Sequence, residues 1–88
     1  MKYYDLCEVC NFSEEPEIYI VNDDFSEEEI EWNRLLNKYV SYDYQYIYDE
    51  DEDIIGVNAN IVLTQDELDE ALVLSVSVER FAKIRVRV

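Results

Sequence analysis

Residues 42–63 have the sequence YDYQYIYDEDEDIIGVNANIVL, and this stretch decides the predicted fold. Tyrosines occupy every second position in its first third, and apolar residues alternate again in its last third. A period of two is typical of β-strands that turn one face toward a core. The pattern predicts strands over 42–48 and 57–63, paired as a hairpin whose long tip is the acidic run Asp49–Asp53, ended by Gly56.

Two segments on either side of this hairpin carry the same helix-start signal. Ser26 and Thr64 are each followed, three residues later, by a glutamate, which is the capping-box pattern. Apolar residues stand before each cap and four residues after it, as a hydrophobic staple requires. Helices are therefore predicted over 27–39 and 65–72.

The remaining segments complete the predicted order. An apolar stripe at i, i+3, i+4 and i+7 predicts a helix over 2–12. Short alternating or apolar runs predict strands over 17–21, 74–78 and 84–88. The order α-β-α-β-β-α-β-β indicates one α+β domain spanning 1–88, with three helices on one face of a mostly antiparallel sheet.

The charge of the chain is strongly uneven. Its 88 residues hold 22 acidic and seven basic side chains, for a net charge of −15. Every acidic side chain precedes residue 80, whereas the last nine residues hold four basic ones. Such a field opposes compaction by self-repulsion, so we expect it to serve a purpose. The simplest purpose is attraction of a strongly basic partner, and strongly basic surfaces commonly bind nucleic acid.

The composition limits the class of protein. Half of the residues are hydrophobic (49%) and 14% are aromatic, which favours a folded chain over a disordered acidic tail. There is no histidine, so ordinary acid–base or metal-dependent catalysis is disfavoured and we predict no enzyme. No apolar run approaches the roughly 18 residues of a membrane span, and no signal peptide opens the chain, so a cytoplasmic protein with reduced cysteines is predicted.

The two cysteines have the spacing of a zinc half-site or a redox pair. A structural zinc site needs four ligands, and the chain has no further cysteine and no histidine. Cys7 and Cys10 also lie on the apolar stripe of the first predicted helix. We therefore predict that both thiols are small core residues.

The acidic run resembles the start of a calcium loop. Asp49, Asp51 and Asp53 stand where such a loop places its first three ligands. Its sixth position requires glycine and its twelfth glutamate, but these hold Ile54 and Asn60. No metal site and no cofactor are predicted.

Two other features have alternative explanations. The alternating tyrosines could form core, although four neighbouring hydroxyls are hard to satisfy there, or could form a partly exposed interface. The basic residues of the last strand, Lys83, Arg85 and Arg87, are predicted to balance nearby acidic side chains rather than to bind nucleic acid.

Small size, extreme acidity, abundant aromatics and the stretch from Asp43 to Asp53 resemble phage-encoded DNA-mimic proteins, which include anti-CRISPR proteins and inhibitors of restriction enzymes. The resemblance is one of composition over the whole chain. It implies a non-enzymatic inhibitor that blocks the DNA-binding cleft of a nuclease and does not itself bind nucleic acid. The residues expected to contact that partner are Asp43, Tyr44, Tyr46, Tyr48, Asp49, Glu50, Asp51, Glu52, Asp53, Glu27, Glu28 and Glu31.

Two other classes of function stay open from the sequence. The protein could be an assembly module that forms a homodimer or a heteromeric contact, with its acidity serving solubility. A small metal-binding or enzymatic domain is the least favoured class. Neither alternative requires a membrane partner.

Overall fold

The computed structural model describes residues 1–10, 15–78 and 81–88, and the described part contains two helices and eight strands. Their bounds are α1 (Tyr3–Val9), β1 (Glu17–Val21), β2 (Glu27–Asn33), β3 (Lys38–Ser41), β4 (Gln45–Tyr48), β5 (Ile54–Asn58), β6 (Val62–Leu63), α2 (Gln65–Asp69), β7 (Leu72–Val78) and β8 (Ala82–Arg87). The predicted α+β class is confirmed, with strands dominating.

Six strands form the main sheet in the order β6-β3-β2-β1-β8-β7, and β4 with β5 forms a separate two-stranded ribbon. Neighbours in the main sheet are antiparallel, except for β1 and β8, which run parallel. The sheet is therefore mixed. Because β1 lies between β2 and β8, the acid-rich strand and the basic strand lie only one strand apart.

The core lies between one face of the main sheet and the two helices. Alternate residues of a strand point to opposite faces, so β1 and β8 each contribute two core residues that lie two positions apart. Tyr3 and Leu6 of α1 and Leu68 of α2 pack into the same cluster. The sheet contributes Ile18, Ile20, Ile30, Leu63, Ile84 and Val86.

The helix predicted over 27–39 is wrong, because the segment forms the hairpin of β2 and β3. Asn33 Oδ1 accepts the backbone N–H of Leu36 at 3.1 Å, and Asn37 adopts a left-handed φ of 56°. These two asparagines build the turn, since asparagine tolerates such conformations and replaces backbone hydrogen bonds. Within the described ranges the order is therefore α-β-β-β-β-β-β-α-β-β, with two helices in place of three.

The other predicted elements are present with shifted ends. The strand over 17–21 and the β7–β8 hairpin are confirmed, and the helix after Thr64 is shorter than predicted. The first helix ends at Val9, and residues 11–14 lie outside the described part. The hairpin over 42–63 is confirmed only in its inner part, because residues 62–63 leave the ribbon and pair with β3 instead.

Candidate acidic interface

Four glutamates share the face of the main sheet that lies opposite the helices, here called the polar face. Ile30 is buried against the helices, so its neighbours on β2, Glu29 and Glu31, point to the polar face, as does Glu27. Glu17 occupies the same face on β1. Tyr19 lies between these acids and the basic strand, because it pairs with Glu29 on one side and with Arg85 on the other.

The basic strand β8 balances part of this acidic face. Arg85 forms an ion pair with Glu27 across β1, and Arg87 forms one with Asp23. A third pair joins Lys2 Nζ and Glu70 Oε2 at 2.6 Å. The predicted internal role of the basic strand is confirmed for both arginines. These are the three ion pairs within the described residues, so most of the 20 acidic side chains described there have no cationic partner.

The acidic tip, residues 49–53, is ordered by hydrogen bonds within its own turn. Asp49 Oδ1 accepts the N–H groups of Asp51 and Asp53, each at 2.9 Å. The Asp49 N–H donates to the Asp53 carbonyl at 3.0 Å, and Glu52 adopts a left-handed φ of 63°. All five side chains are exposed, and none takes part in an ion pair within the described chain. The turn therefore presents concentrated negative charge to solvent.

Three carboxylates of the tip lie close enough to contact one cation. Oxygen atoms of Asp49, Asp51 and Asp53 lie within 4.8 Å of one another. The turn closes directly afterwards, because Ile54 pairs with Tyr48 and starts β5. The later ligands of a calcium loop are therefore missing here, and the absence of a dedicated metal site stays a prediction.

The tyrosine row of the ribbon is divided between packing and exposure. Tyr44, Tyr46 and Tyr48 contact edge to face, with ring centroids 5.3 and 6.3 Å apart. Tyr44 and Tyr46 are half-buried, and Tyr46 Oη accepts a hydrogen bond from Asn33 Nδ2 at 2.7 Å. Tyr48, next to the tip, is 56% exposed. The inner rings therefore fix the ribbon to the β2–β3 hairpin, whereas the outer ring is free for contact.

The predicted β2 residues do not form one surface with the tip. The pKa of Tyr44 is raised first by the hydrogen bond that its hydroxyl donates to Tyr46 and, to a smaller extent, by the charge of Glu31, so Glu31 lies near the ribbon. Glu27 is occupied by Arg85. Glu28 points to the opposite face of the sheet, where it accepts a hydrogen bond from Asn60 Nδ2 at 3.2 Å. The residues from Asp43 to Asp53, by contrast, lie together on β4, its entry and the tip.

The sequence analysis missed an acidic and aromatic cleft of about 360 Å³ at the start of β1. Its carboxylates are Glu15, Glu17, Glu29 and Glu31, its aromatic side chains are Tyr3, Trp32, Tyr39 and Tyr42, and one cation, Arg34, also lines it. The alternation of Glu29, Ile30 and Glu31 indicates a strand with its acidic residues on one face. The prediction of a helix over 27–39 left this pattern unused.

Tyrosines around this group of acids report its negative potential. Partial burial raises the pKa of Tyr19 to about 12, helped by its hydrogen bond to Glu17 and by the charge of Glu29. Burial also raises the pKa of Tyr42, with a further contribution from Glu29. The neutral phenol is favoured at both positions, first because burial disfavours the charged form and further because a phenolate would face several carboxylates.

Neither helix in the described ranges has the length and apolar character needed to cross a membrane. No protein-family model matches the chain, and neither a curated protein nor a solved structure is detectably similar to it.

Proposed function

We propose that this protein is a non-enzymatic inhibitor that presents its ribbon as a mimic of DNA and blocks the nucleic-acid-binding groove of a host defence nuclease, such as a CRISPR effector or a restriction enzyme. One observation carries the proposal. The tip places five exposed carboxylates in a single turn, and none of them is neutralised by a cation of the described chain.

The density of this charge suits a groove that binds DNA. Duplex DNA carries one negative charge per roughly 1.7 Å of its axis, and proteins neutralise it with several lysines and arginines. Oxygen atoms of three tip carboxylates lie within 4.8 Å of one another. A guanidinium binds a carboxylate with the same paired geometry that it uses for a phosphate, so the tip can replace phosphates in such a groove.

The tip is also shaped before it binds. One carboxylate oxygen of Asp49 accepts hydrogen bonds from two backbone N–H groups, and these bonds order the turn before any partner is bound. A preordered segment loses less conformational entropy on binding. The four other acidic side chains, Glu50 to Asp53, therefore remain available to cations of the target.

Apolar side chains beside the tip supply contact area that DNA would supply with its bases. Tyr48, Ile47 and Ile55 are exposed by 56%, 46% and 64% on the ribbon. Tyrosines at the centre of a contact are commonly among the few residues that contribute most of its binding energy, whereas charges at its rim mainly speed association. The ribbon combines both kinds of group on one projecting element.

Two variants of equal charge test this function. The tip variant carries Glu50→Gln, Asp51→Asn, Glu52→Gln and Asp53→Asn and keeps Asp49, which orders the turn. The control variant carries Asp5→Asn, Glu8→Gln, Glu15→Gln and Asp66→Asn, which lie outside the ribbon. Each changes the net charge from −15 to −11, since four negative charges are removed.

The measurement is competition with duplex DNA for a panel of CRISPR effectors and restriction enzymes, across a series of salt concentrations. We expect at least one nuclease to be inhibited, with the tip variant weakened more than about tenfold, since hydrogen bonds to charged groups contribute about 1.5–3 kcal/mol each. Inhibition should weaken as salt rises. Equal loss in both variants, or no inhibition of any panel member, would contradict the proposal.

A further inference from the structure

Strand β7 is a long, uncharged edge of the main sheet. It holds the sequence LVLSVSV, without a charged residue or proline. Four of its apolar side chains are at least 42% exposed, namely Leu72, Leu74, Val76 and Val78. The opposite edge, β6, is only two residues long. Natural proteins usually protect a sheet edge with charge, proline, a bulge, a covering segment or a very short strand, and beyond the bulge at Leu74 the strand β7 shows none of these devices.

The N-terminal segment covers only the first part of this edge. The backbone N–H of Val73 donates to the Met1 carbonyl at 2.8 Å, and Tyr3 N–H donates to the Ala71 carbonyl at 2.8 Å. Farther along, Leu74 interrupts the register as a bulge, and the residues from Ser75 to Val78 pair with β8 alone within the described structure. The outward backbone groups of this stretch are free to pair with another strand.

Charge indicates which strand can pair there. Two copies of a chain with net charge −15 repel one another over most of their surfaces. At β7 the repulsion is smallest, because this strand is uncharged and its neighbour β8 carries three cations, two of them paired with acidic residues. A second copy brings the same uncharged, apolar strand to this edge, so pairing of two β7 strands buries no charge from either side. A second copy of the chain is therefore an occupant that matches this edge in charge and in apolar character.

We propose that two copies of the chain join their β7 strands edge to edge in antiparallel orientation, so that two six-stranded sheets become one continuous sheet. With the two-fold axis at Ser77, the Ser77 residues of the two copies stand opposite each other. Val76 of each copy then stands opposite Val78 of the other, so exposed apolar side chains meet exposed apolar side chains, and the part of the edge that the N-terminal segment covers is not used. The contact uses neither the ribbon nor its tip, and the proposal is independent of the inhibitor function.

Salt separates the two kinds of association. Binding of the acidic tip to a cationic groove weakens as salt rises. Association through β7 should strengthen, because salt screens the repulsion between two acidic copies and leaves backbone pairing intact. Sedimentation velocity over a concentration series should show a species of twice the 10.5 kDa chain mass, more populated at high salt.

A cysteine pair tests the register. In a background with Cys7→Ser and Cys10→Ala, Ser77→Cys should form an intermolecular disulfide on mild oxidation, because directly opposite residues have Cα atoms about 4.5–5.5 Å apart. Ser75→Cys is the matched control on the same strand. Its counterpart in the second copy lies four residues along the strand, about 13 Å away, which is too far for a disulfide.

Val76→Lys tests the energetics without threatening the core, since Val76 is 42% exposed. The lysine places a charge on the pairing edge and should raise the dissociation constant of the dimer more than tenfold. The native chain remaining a monomer at every concentration and salt would overturn the proposal. Equal disulfide formation by the Ser75 and Ser77 variants, or a dimer unaffected by Val76→Lys, would do the same.

Discussion

Residues 26–29 and 64–67 begin with the same helix-start pattern, yet only the second begins a helix. The side chain of Thr64 accepts the Glu67 N–H at 3.2 Å, and Glu67 accepts the Thr64 N–H at 3.1 Å, which completes a capping box. Ser26 is engaged elsewhere. Its hydroxyl and its N–H both donate to Asp24 Oδ1, at 2.6 and 3.1 Å, so it closes the turn before β2.

The residues that follow the pattern explain the difference. Leu68 comes directly after Glu67 and is fully buried, together with Leu63 before the cap, so the helix has a staple that reaches the core. After Glu29, Ile30 is buried between β1 and β3, and the acids beside it point to the other face. A period of two with a sheet strand on each side outweighs a local capping signal.

The largest expected effect concerns Asn37, whose left-handed φ of 56° exists only because the segment is a hairpin. Asn37→Val should lower the free energy of unfolding by about 1–2 kcal/mol, since a residue with a branched Cβ is strained there. In a helix the same change would be nearly neutral, because asparagine and valine have similar helix propensities. Urea denaturation measures the loss.

Asn37→Gly is the control for this change. Glycine adopts positive φ without strain, so we expect the free energy of unfolding to stay within about 0.5 kcal/mol of the native value. A neutral valine variant would contradict the turn that Asn33 and Asn37 form.

The second prediction compares the two capping patterns directly. Thr64→Ala should cost about 1 kcal/mol of stability, since it removes a helix cap. In a double-mutant cycle, Thr64→Ala and Glu67→Ala should be non-additive by about 0.5 kcal/mol or more, because the two residues satisfy each other's backbone. The cycle of Ser26→Ala and Glu29→Ala should be additive within about 0.3 kcal/mol. Equal coupling in the two cycles would remove the distinction.

Elements could be predicted from the sequence where the local propensity and the hydrophobic period indicate the same structure that the tertiary contacts require. The helix after Thr64, the strand over 17–21 and the β7–β8 hairpin have matching propensity and period. The segment over 27–39 could not, because its conformation depends on the pairing of β2 with β1 and with β3, and these pairings are not visible in the capping pattern at its start. The two asparagines that form its turn were a readable signal that the capping pattern outweighed.

The same contrast between local and long-range signals applies to the candidate site. The acidic tip is local, so its position at the end of a hairpin was predicted, although its hydrogen bonds to Asp49 were not. The predicted helix over 27–39 would place Glu27, Glu28 and Glu31 together in its first turns, whereas strand geometry divides them between two faces. The cleft at β1 joins residues from distant segments, and a single sequence does not show such proximity.

The smallest expected effect tests the two faces of β2 through Tyr19. Its pKa of about 12, against an ordinary value of 10, results first from partial burial and then from Glu17 and Glu29. Glu29→Gln should therefore lower the midpoint for ionisation of Tyr19, measured as the tyrosinate absorbance of each protein minus that of its Tyr19→Phe variant. Glu28→Gln, which changes the opposite face, should leave the midpoint in place.

The raised pKa of Tyr19 also makes the stability of the fold depend on pH, because the folded chain holds the Tyr19 proton to a higher pH than the unfolded chain does. Between about pH 10 and 12 the unfolded chain loses the Tyr19 proton and the folded chain keeps it. Stability from this group is therefore complete below pH 10 and is lost as pH rises toward 12. Tyr19→Phe should make the alkaline loss of stability shallower in urea denaturation series. An equal shift of the midpoint by Glu28→Gln and Glu29→Gln would mean that the two glutamates do not point to opposite faces, and β2 would then not be the strand that separates this segment from the helix at Thr64.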